Sequence, residues 1–355
     1  MLGNRKLVLD TFCEVYDLLN PYADAEFWEF SKHEFMPGAI YIFGRTQFLK
    51  YKQQIIDIAD QQTATIVLSN PAEGSETLTA HCTWWGITEL IKNNKILLIG
   101  GGDMASNWSY IQYDSFLPKL LDYEENILAG MQVDKIYSKT SKPYNFLFLN
   151  GRFRPHRKYL LEQLNLTHAI WTNLDQGNGP VHYLDPKYEV DLFKNRIETP
   201  TNQTFVKTHL FNNIWGEIYL TPAPYIDTYF SLVTETVFNY PYSFRTEKIW
   251  KPVVMGHPWI VAANQGYYRD IRNLGFQTFS HVIDESFDSI ENSQDRIERI
   301  VQVVEDLCQQ DLASFLKECY NVCKYNQQHL AEMRIKVRQE FPDRFHQFIN
   351  SHLNE

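Results

Sequence analysis

The sequence of 355 residues has no uninterrupted apolar stretch of about 18 residues, the length that suits a membrane-spanning helix. It contains only five cysteines, at irregular spacing, which argues against a disulfide framework and for a reducing compartment. The first 20 residues include the acids Asp10, Glu14 and Asp17, a pattern unlike that of a secretory signal peptide. These absences predict a cytoplasmic protein without a membrane span.

Positive charge is also scarce, because 33 lysines and arginines face 43 aspartates and glutamates and leave a net charge of −10. This balance disfavours a general binder of phosphate backbones, although it is compatible with a local basic site. The composition, 44% hydrophobic and 15% aromatic, is typical of a globular chain with a sizeable core. A chain of this length predicts two domains.

Short apolar runs alternate with longer amphipathic stretches, the pattern of an α/β protein with parallel sheets. In the first half, strands are predicted at residues 39–43, 65–69 and 95–100, and helices at residues 47–61, 76–92 and 116–128. In the second half, strands are predicted at residues 146–149, 169–171, 230–234, 258–263 and 276–279, and helices at residues 155–164 and 293–340. Residues 172–200 form a long polar insertion whose structure and role the sequence does not indicate.

A polar linker with a proline, at residues 138–144, divides this pattern into two halves. We therefore predict an N-terminal domain of residues 1–140 and a C-terminal domain of residues 141–325. The remaining residues, 326–355, are predicted to form a C-terminal helix that is available to pack back on the first domain. Each domain is expected to be a doubly wound, Rossmann-like α/β unit, and the C-terminal helices close the fold.

A glycine-rich motif, Gly-Gly-Gly-Asp-Met-Ala at residues 100–105, follows a predicted strand and matches a variant of the dinucleotide fingerprint. In that fingerprint the glycines bring a backbone turn close to a pyrophosphate at a helix N-terminus. No helix is obvious after this motif, and no strand ends in an acid about 20 residues later. A tight turn at the edge of a sheet is therefore favoured over the NAD site of an oxidoreductase.

A concentrated cationic cluster opens the second half of the chain, where residues 150–158 are Asn-Gly-Arg-Phe-Arg-Pro-His-Arg-Lys. Pro155 suits the first turn of a helix, so Arg152, Arg154 and Arg157 are expected at a strand-to-helix junction. Guanidinium groups at a helix N-terminus bind phosphate oxygens in a bidentate manner. We predict an anion site here; the alternative is a solvated charge run that pairs with acids elsewhere.

A second dense segment consists of residues 231–236, Ser-Leu-Val-Thr-Glu-Thr, and residues 244–251, Phe-Arg-Thr-Glu-Lys-Ile-Trp-Lys. Thr246 is a predicted N-cap for a helix that begins with Glu247 and Lys248. A cation beside free helix N–H groups suits a diphosphate, and a carboxylate accepts hydrogen bonds from sugar hydroxyls. The alternative is that Glu247 is an acid of the capping region and Lys248 its solvated neighbour.

Residues 231–239 and 244–261, SLVTETVFN and FRTEKIWKPVVMGHPWIV, resemble the donor-binding segment of α-1,3-fucosyltransferase-like glycosyltransferases. Residues 145–164 and 267–292 are similar to parts of uncharacterised glycosyltransferase-like proteins of phages and bacteria. The resemblance covers residues 145–305. It implies a GT-B fold, in which two Rossmann-like domains face a cleft and the C-terminal domain holds a nucleotide-sugar.

Carried over by position, the resemblance implies that Glu235 contacts the donor sugar and that Glu247 contacts the ribose or the sugar. It also implies that Lys248, with Arg152 or Arg154, neutralises the diphosphate leaving group. Such basic side chains replace the divalent ion of other enzymes, so no metal or other cofactor is expected beside the nucleotide-sugar co-substrate. The family's Glu-Asn pair at the strand end is replaced here, so recognition of fucose and guanosine is not implied.

An inverting transfer needs a general base near the acceptor hydroxyl, usually a carboxylate or a histidine of the first domain. Glu73, in the turn after the predicted strand 65–69, is the first candidate, and Asp103 is the comparable residue one strand later. His33 and His81 are further candidates away from the predicted strand edges. The alternative for Glu73 is a surface acid without a catalytic role.

The leading prediction is therefore a metal-independent, inverting glycosyltransferase that acts on a hydroxyl of a saccharide, a protein or a modified nucleobase. One alternative is a phage-type glycosyltransferase acting on modified DNA bases, which requires a basic groove in the first domain. Another is a non-catalytic module that binds a nucleotide or a sugar without turnover.

Overall fold

A computed structural model describes residues 5–27, 29, 32, 34–104, 107–188 and 220–353. His33 and the predicted insertion beyond residue 188 therefore lie outside the described residues. The chain forms two compact units, one of Met1–Pro118 with Arg334–Glu355 and the other of Lys119–Met333. Each unit contains a parallel sheet with helices, so the predicted α/β class is confirmed.

The first unit is built on six parallel strands: β1 (Leu7–Asp10), β2 (Ala25–Phe27), β3 (Ile40–Gly44), β4 (Thr65–Asn70), β5 (Ile96–Gly100) and β6 (Tyr110–Gln112). They lie in the order β2-β1-β3-β4-β5-β6. β3, β4 and β5 confirm the predicted strands, since each is an almost fully buried apolar run. β1, β2 and β6 were not predicted, because runs of three or four residues carry too little periodicity.

Helices of the first unit cover Tyr16–Leu19, Arg45–Lys50, Lys52–Asp60, Ser75–Trp85, Thr88–Lys92 and the start of Phe116–Leu120. The predicted helices 47–61 and 76–92 are therefore each divided in two. Buried side chains cover both faces of the sheet. Phe341, Phe345 and Ile349, near the end of the long helix Leu312–Leu353, belong to the core of one face.

The second unit is built on four parallel strands: β7 (Tyr144–Asn150), β8 (Ala169–Asn173), β9 (Thr228–Thr234) and β10 (Trp259–Ala262). They lie in the order β10-β9-β7-β8, and all four confirm predicted strands. The strand predicted at residues 276–279 is wrong, because this segment is a loop. Its apolar side chains Phe276 and Phe279 are buried against the rings of Trp250 and Trp259, so core packing explains the run.

Helices of the second unit cover Glu124–Gly130, Val133–Ser138, Pro155–Gln163, Pro222–Ile226, Glu247–Met255, Tyr267–Asn273, Ser293–Cys308 and the first part of Leu312–Leu353. Residues 119–140, assigned to the first domain by the sequence, lie in this unit. The hydroxyl of Tyr137 donates to the carbonyl of Gly256 at 3.0 Å, and Gln327 Nε2 donates to the carbonyl of Gly130 at 3.2 Å. Within the described residues, no helix is long and apolar enough to cross a membrane.

Gly256 ends the helix Glu247–Met255 in the left-handed conformation, with φ of 63°. A Cβ atom there would lie 2.6 Å from Cγ2 of Val133, so Gly256→Ala is expected to cost about 3 kcal/mol through strain and overpacking. Gly86 is the matched control, since its φ is 75° and a Cβ would meet nothing within 4 Å. Gly86→Ala should therefore cost only the strain, about 1 kcal/mol. Urea unfolding of both variants measures the difference, and equal losses would contradict the packing argument.

Candidate functional site

The carboxyl ends of the parallel strands define one edge of the second sheet. We call it the second-unit edge, meaning residues 150–154, 173–178 and 235–248. The chain runs from β7 to β8 on one side and then places β9 on the other side of β7, so the topology switches between β7 and β9. Open α/β sheets bind ligands at such switch points. The structure therefore brings both dense segments of the sequence to the position where a ligand is expected.

A side-chain hydrogen bond joins the two strands at this switch point. Thr234 Oγ1 donates to Asn150 Oδ1 at 2.9 Å, and both side chains are buried. Arg157, 3% exposed, adds a second link, because its guanidinium donates to the carbonyls of Arg152 at 2.9 Å and Thr234 at 3.1 Å. Arg157 was predicted to be part of the anion site that binds the donor; the structure places it in the interior, where it positions the loop after β7.

Glu235 occupies the start of the loop after β9 and is fully buried. Its Oε1 accepts hydrogen bonds from the backbone N–H of Thr246 at 3.0 Å and from the Tyr267 hydroxyl at 3.2 Å. Its Oε2 accepts from the Thr246 hydroxyl at 2.7 Å. Burial raises the pKa of Glu235, although the nearby Lys248 ammonium and the Thr246 hydrogen bonds oppose the shift. The carboxylate predicted to contact the sugar instead ties the end of β9 to the next helix.

Thr246 is the N-cap of the helix Glu247–Met255, as predicted, since its hydroxyl accepts from the backbone N–H of Lys248 at 3.3 Å. The ammonium of Lys248 lies 3.1 Å from Thr246 Oγ1 and 2.6 Å from Glu247 Oε1. Burial by itself would raise the pKa of Glu247, but Lys248 and Lys251 outweigh it and lower the pKa below its ordinary value. The pair is therefore a buried carboxylate with a lysine whose side chain is 23% exposed.

Two further cations lie across the switch point, in the loop between β7 and the helix Pro155–Gln163. Pro155 occupies the first turn, as predicted, and the side chain of the N-cap residue, Arg154, forms no capping hydrogen bond. Arg152 is exposed and Arg154 is half-buried, with its Nη1 donating to the carbonyl of Phe153 at 2.8 Å. Neither guanidinium forms an ion pair with a described carboxylate. Both can therefore meet an anion without first breaking a salt bridge to any of the described carboxylates.

The sequence did not identify the residues that hold this loop in place. Asp175 accepts hydrogen bonds from the backbone N–H groups of Phe153 at 2.9 Å and Gly177 at 2.8 Å, and these bonds lower its pKa. Asn178 Oδ1 accepts from the N–H of Arg154 at 3.3 Å. Both residues lie in the segment 172–200, the polar insertion whose role the sequence did not indicate. An acid two residues before a glycine is typical of a tight turn, the signal that was available for Asp175.

The two predicted bases lie after neighbouring strands of the first sheet. Glu73 follows β4; its backbone carbonyl accepts from Gly101 N–H at 3.1 Å, and its Oε1 lies 3.6 Å from Nη1 of Arg45. Asp103 follows β5 and is half-buried. Both side chains are thus at the carboxyl edge of the first sheet, as the sequence predicted.

The glycine-rich motif packs closely rather than opening a helix. A Cβ on Gly100 would lie 2.6 Å from the ring of Tyr110, whose hydroxyl donates to the carbonyl of Gly102. Among the described residues between Gly102 and β6 no helix begins, and Ala105 lies outside them. This close contact with Tyr110 explains the glycine at position 100 without a dinucleotide.

No protein-family model and no curated protein matches this sequence.

Proposed function

We propose that the protein is a GT-B-type, metal-independent glycosyltransferase that moves a sugar from a nucleotide-diphosphate sugar to a hydroxyl acceptor with inversion. The observation that carries the proposal is the set of three cations, Lys248, Arg152 and Arg154, around the switch point of the second unit. Their placement agrees with the resemblance of residues 145–305 to fucosyltransferase-like enzymes.

The charges of the second-unit edge suit a diphosphate leaving group. An ammonium has three N–H donors, and Lys248 uses two of them for Thr246 and Glu247. The third donor, with the guanidinium groups of Arg152 and Arg154, supplies positive charge for phosphate oxygens. Departure of a nucleoside diphosphate develops negative charge, so cations held in place before the reaction lower its barrier.

The buried carboxylates have positioning roles in this proposal. Glu247 orients Lys248, because its Oε1 holds the ammonium at 2.6 Å. Glu235 acts through Thr246, which it fixes by two hydrogen bonds. A site held by buried, hydrogen-bonded groups keeps its geometry when the ligand arrives, which favours catalysis by preorganised charge.

In the transfer itself, Glu73 is the proposed general base, with Asp103 as the second candidate. The carboxylate takes the proton of the acceptor hydroxyl while that oxygen forms a bond to the anomeric carbon of the donor. The bond between the anomeric carbon and the diphosphate oxygen breaks, and the electron pair leaves with the diphosphate. Arg45, 3.6 Å from Glu73, orients the carboxylate for this step.

Lys248→Ala and Arg154→Ala are each expected to weaken nucleoside-diphosphate binding about tenfold, the usual effect of losing a charge-assisted contact. Isothermal titration calorimetry with UDP, GDP, ADP and CDP measures the dissociation constants and shows which nucleobase the site prefers. Lys158→Ala is the control, since Lys158 carries the same charge on the helix Pro155–Gln163 but is exposed and lies 3.9 Å from Glu162. Unchanged binding in both test variants, or an equal loss in the control, would overturn the donor site.

Turnover separates the enzyme from a non-catalytic binding module. Once a nucleotide is identified, its sugar derivatives are incubated with the protein, and release of the nucleoside diphosphate is followed. Slow hydrolysis of one donor that Lys248→Ala abolishes supports the transferase. Tight binding without hydrolysis or transfer would favour the module.

A further inference from the structure

The carboxyl edge of the first sheet contains a second polar cluster. We call it the first-unit edge, meaning residues 10–14, 44–47 and 69–75, which follow or end β1, β3 and β4. The chain passes from β1 to β2 on one side and returns with β3 on the other side of β1, so this edge is also a topological switch point. Asp10 joins the two strands there, because its Oδ2 accepts from the N–H of Gly44 at 2.9 Å.

Contacts between side chains connect all three strand ends of the first-unit edge. The Ser69 hydroxyl, at the end of β4, donates to Oε2 of Glu14, which follows β1, at 3.4 Å. Arg45, directly after β3, pairs with Glu73, in the turn after β4, at 3.6 Å. The edge is therefore one cluster, built from three separate parts of the sequence.

Buried polar atoms without a hydrogen-bond partner occur around this cluster. They are Nδ2 of Asn70, which is 2% exposed, Oγ of Ser75, which is fully buried, and Nδ1 of His81. His81 lies on the helix that begins at Ser75, and its ring stacks on that of Trp85 with 5.0 Å between the centroids. It also interacts electrostatically with Arg45 and Glu73. Buried polar groups in folded proteins are nearly always paired. Their concentration at a switch point therefore indicates a polar ligand.

Charge and shape decide the class of that ligand. The first-unit edge contains three acids, the fully buried Asp10 and the acids Glu14 and Glu73, and one cation, Arg45, which is already paired. Phosphates and other anions are therefore repelled, whereas carboxylates and amides bind the hydroxyl groups of a neutral molecule. Phe12 is 67% exposed beside Asp10 and offers a face on which the C–H groups of a sugar ring can stack.

We propose that the first-unit edge binds a neutral, polyhydroxylated ligand, a saccharide, and that this ligand is the acceptor. Only the role of acceptor rests on the proposed transferase function, because saccharide binding here depends on no residue of the second unit. The same charges argue against nucleic acid, whose phosphates would meet the acidic edge.

Saturation-transfer difference NMR on the full-length protein tests the binding. The probes are methyl β-glucoside, methyl β-galactoside, methyl α-mannoside and lactose at about 10 mM, which reveals dissociation constants on the order of 1 mM. Methyl β-glucuronide and a single-stranded oligonucleotide are the anionic probes. We expect signal from at least one neutral saccharide and none from its anionic counterparts.

Phe12→Ala and Glu14→Gln should each weaken the saccharide about fivefold, since each removes one stacking or hydrogen-bonding contact. Trp84→Ala is the matched control, because Trp84 is an exposed aromatic residue of the same unit but lies at the far end of its helix, at 77% exposure. Absence of signal from every neutral probe, stronger binding of an anionic probe, or an equal loss in Trp84→Ala would overturn the proposal.

Lys248→Ala distinguishes this inference from the proposed function. The variant should lose nucleotide binding and keep the saccharide signal. If it leaves nucleotide binding unchanged while Phe12→Ala removes the saccharide, the donor site fails and the saccharide site stands. If nucleotide binding falls as expected but no saccharide binds, the donor site stands and the first-unit edge fails.

Discussion

Glu235→Ala is expected to destabilise the second unit by about 3–5 kcal/mol, because it leaves buried partners without an acceptor. The Thr246 N–H and hydroxyl and the Tyr267 hydroxyl all donate to this carboxylate. None of them gains water in exchange, because Glu235 is fully buried. Urea unfolding, followed by the fluorescence of the buried Trp250 and Trp259, measures the loss. A change below about 1 kcal/mol would contradict the role assigned to Glu235.

The stability loss caused by a second substitution, Glu235→Gln, is expected to depend on pH. Because the pKa of Glu235 is raised in the fold, the folded protein holds this proton more tightly than the unfolded chain. Ionisation of Glu235 therefore lowers the free energy of unfolding as the pH rises above about 4, the ordinary pKa of glutamate. Glutamine does not ionise, so the variant does not lose this stability. The penalty of Glu235→Gln should thus be smaller at about pH 7 than at about pH 4.

The buried histidines make the fold more stable as the pH rises, which is opposite to the effect of Glu235. The variant must therefore be compared with the wild type at each pH. Burial lowers the pKa of His156 and His257 to about 3, so acid protonates them in the unfolded chain first and destabilises the fold. Both variants and the wild type share this term, which cancels when they are compared at each pH. A penalty for Glu235→Gln that grows with pH would contradict this prediction, because it would mean that the fold lowers the pKa of Glu235 and favours its ionised form.

The sequence predicted those parts of the fold that apolar runs and capping chemistry determine. β3, β4 and β5 are buried on both faces, and Thr246 and Pro155 occupy the helix starts that their chemistry favours. The sequence did not predict the short strands, and it wrongly predicted a strand for the apolar loop at residues 276–279. Hydrophobic periodicity indicates which residues are buried, but it does not indicate which segments pair as strands.

Side-chain direction is the part of the site that a sequence does not contain. Arg157 and Glu235 have the residue types of a ligand contact, yet the fold turns both inward to bond the chain. Arg152 and Arg154, only a few residues away, keep an exposed or half-buried position. Arg152 and Arg154 precede the helix Pro155–Gln163, whereas the guanidinium of Arg157, in its first turn, donates to the carbonyl of Thr234 at the end of β9.

In each unit, a side-chain hydrogen bond joins the two adjacent strands at the switch point. In the first, the Asp10 carboxylate accepts from the N–H of Gly44; in the second, Thr234 donates to the side chain of Asn150. Each bond fixes the spacing of the two strands whose loops diverge to form a site. Beyond that shared element the edges differ in charge, since one presents acids and the other three cations. This difference agrees with the two proposals, an anionic diphosphate at the second-unit edge and a neutral saccharide at the first-unit edge.

Arg296→Met is expected to destabilise the second unit by about 3 kcal/mol, since it deprives several buried carbonyls of a donor. Arg296 is 2% exposed, and its guanidinium donates to the carbonyls of Phe238 at 2.6 Å, Ala263 at 3.2 Å and Ile290 at 2.7 Å. It also lies over the Phe238 ring, 4.6 Å from the centroid. Methionine retains an apolar stem of similar length, so the loss of stability measures the contribution of the guanidinium hydrogen bonds and not that of a cavity.

The same substitution should also weaken nucleotide binding, because Arg296 joins two loops at the carboxyl edge of the second sheet. Phe238 lies in the loop after β9, and Ala263 directly follows β10. Arg299→Met, three residues later on the helix Ser293–Cys308, is the control, because Arg299 pairs with the partly exposed Asp284 near the surface. Its loss should remain below about 1 kcal/mol, with nucleotide binding unchanged. Equal effects of the two variants would mean that the helix as a whole, rather than this buried guanidinium, holds the loops of the proposed donor site.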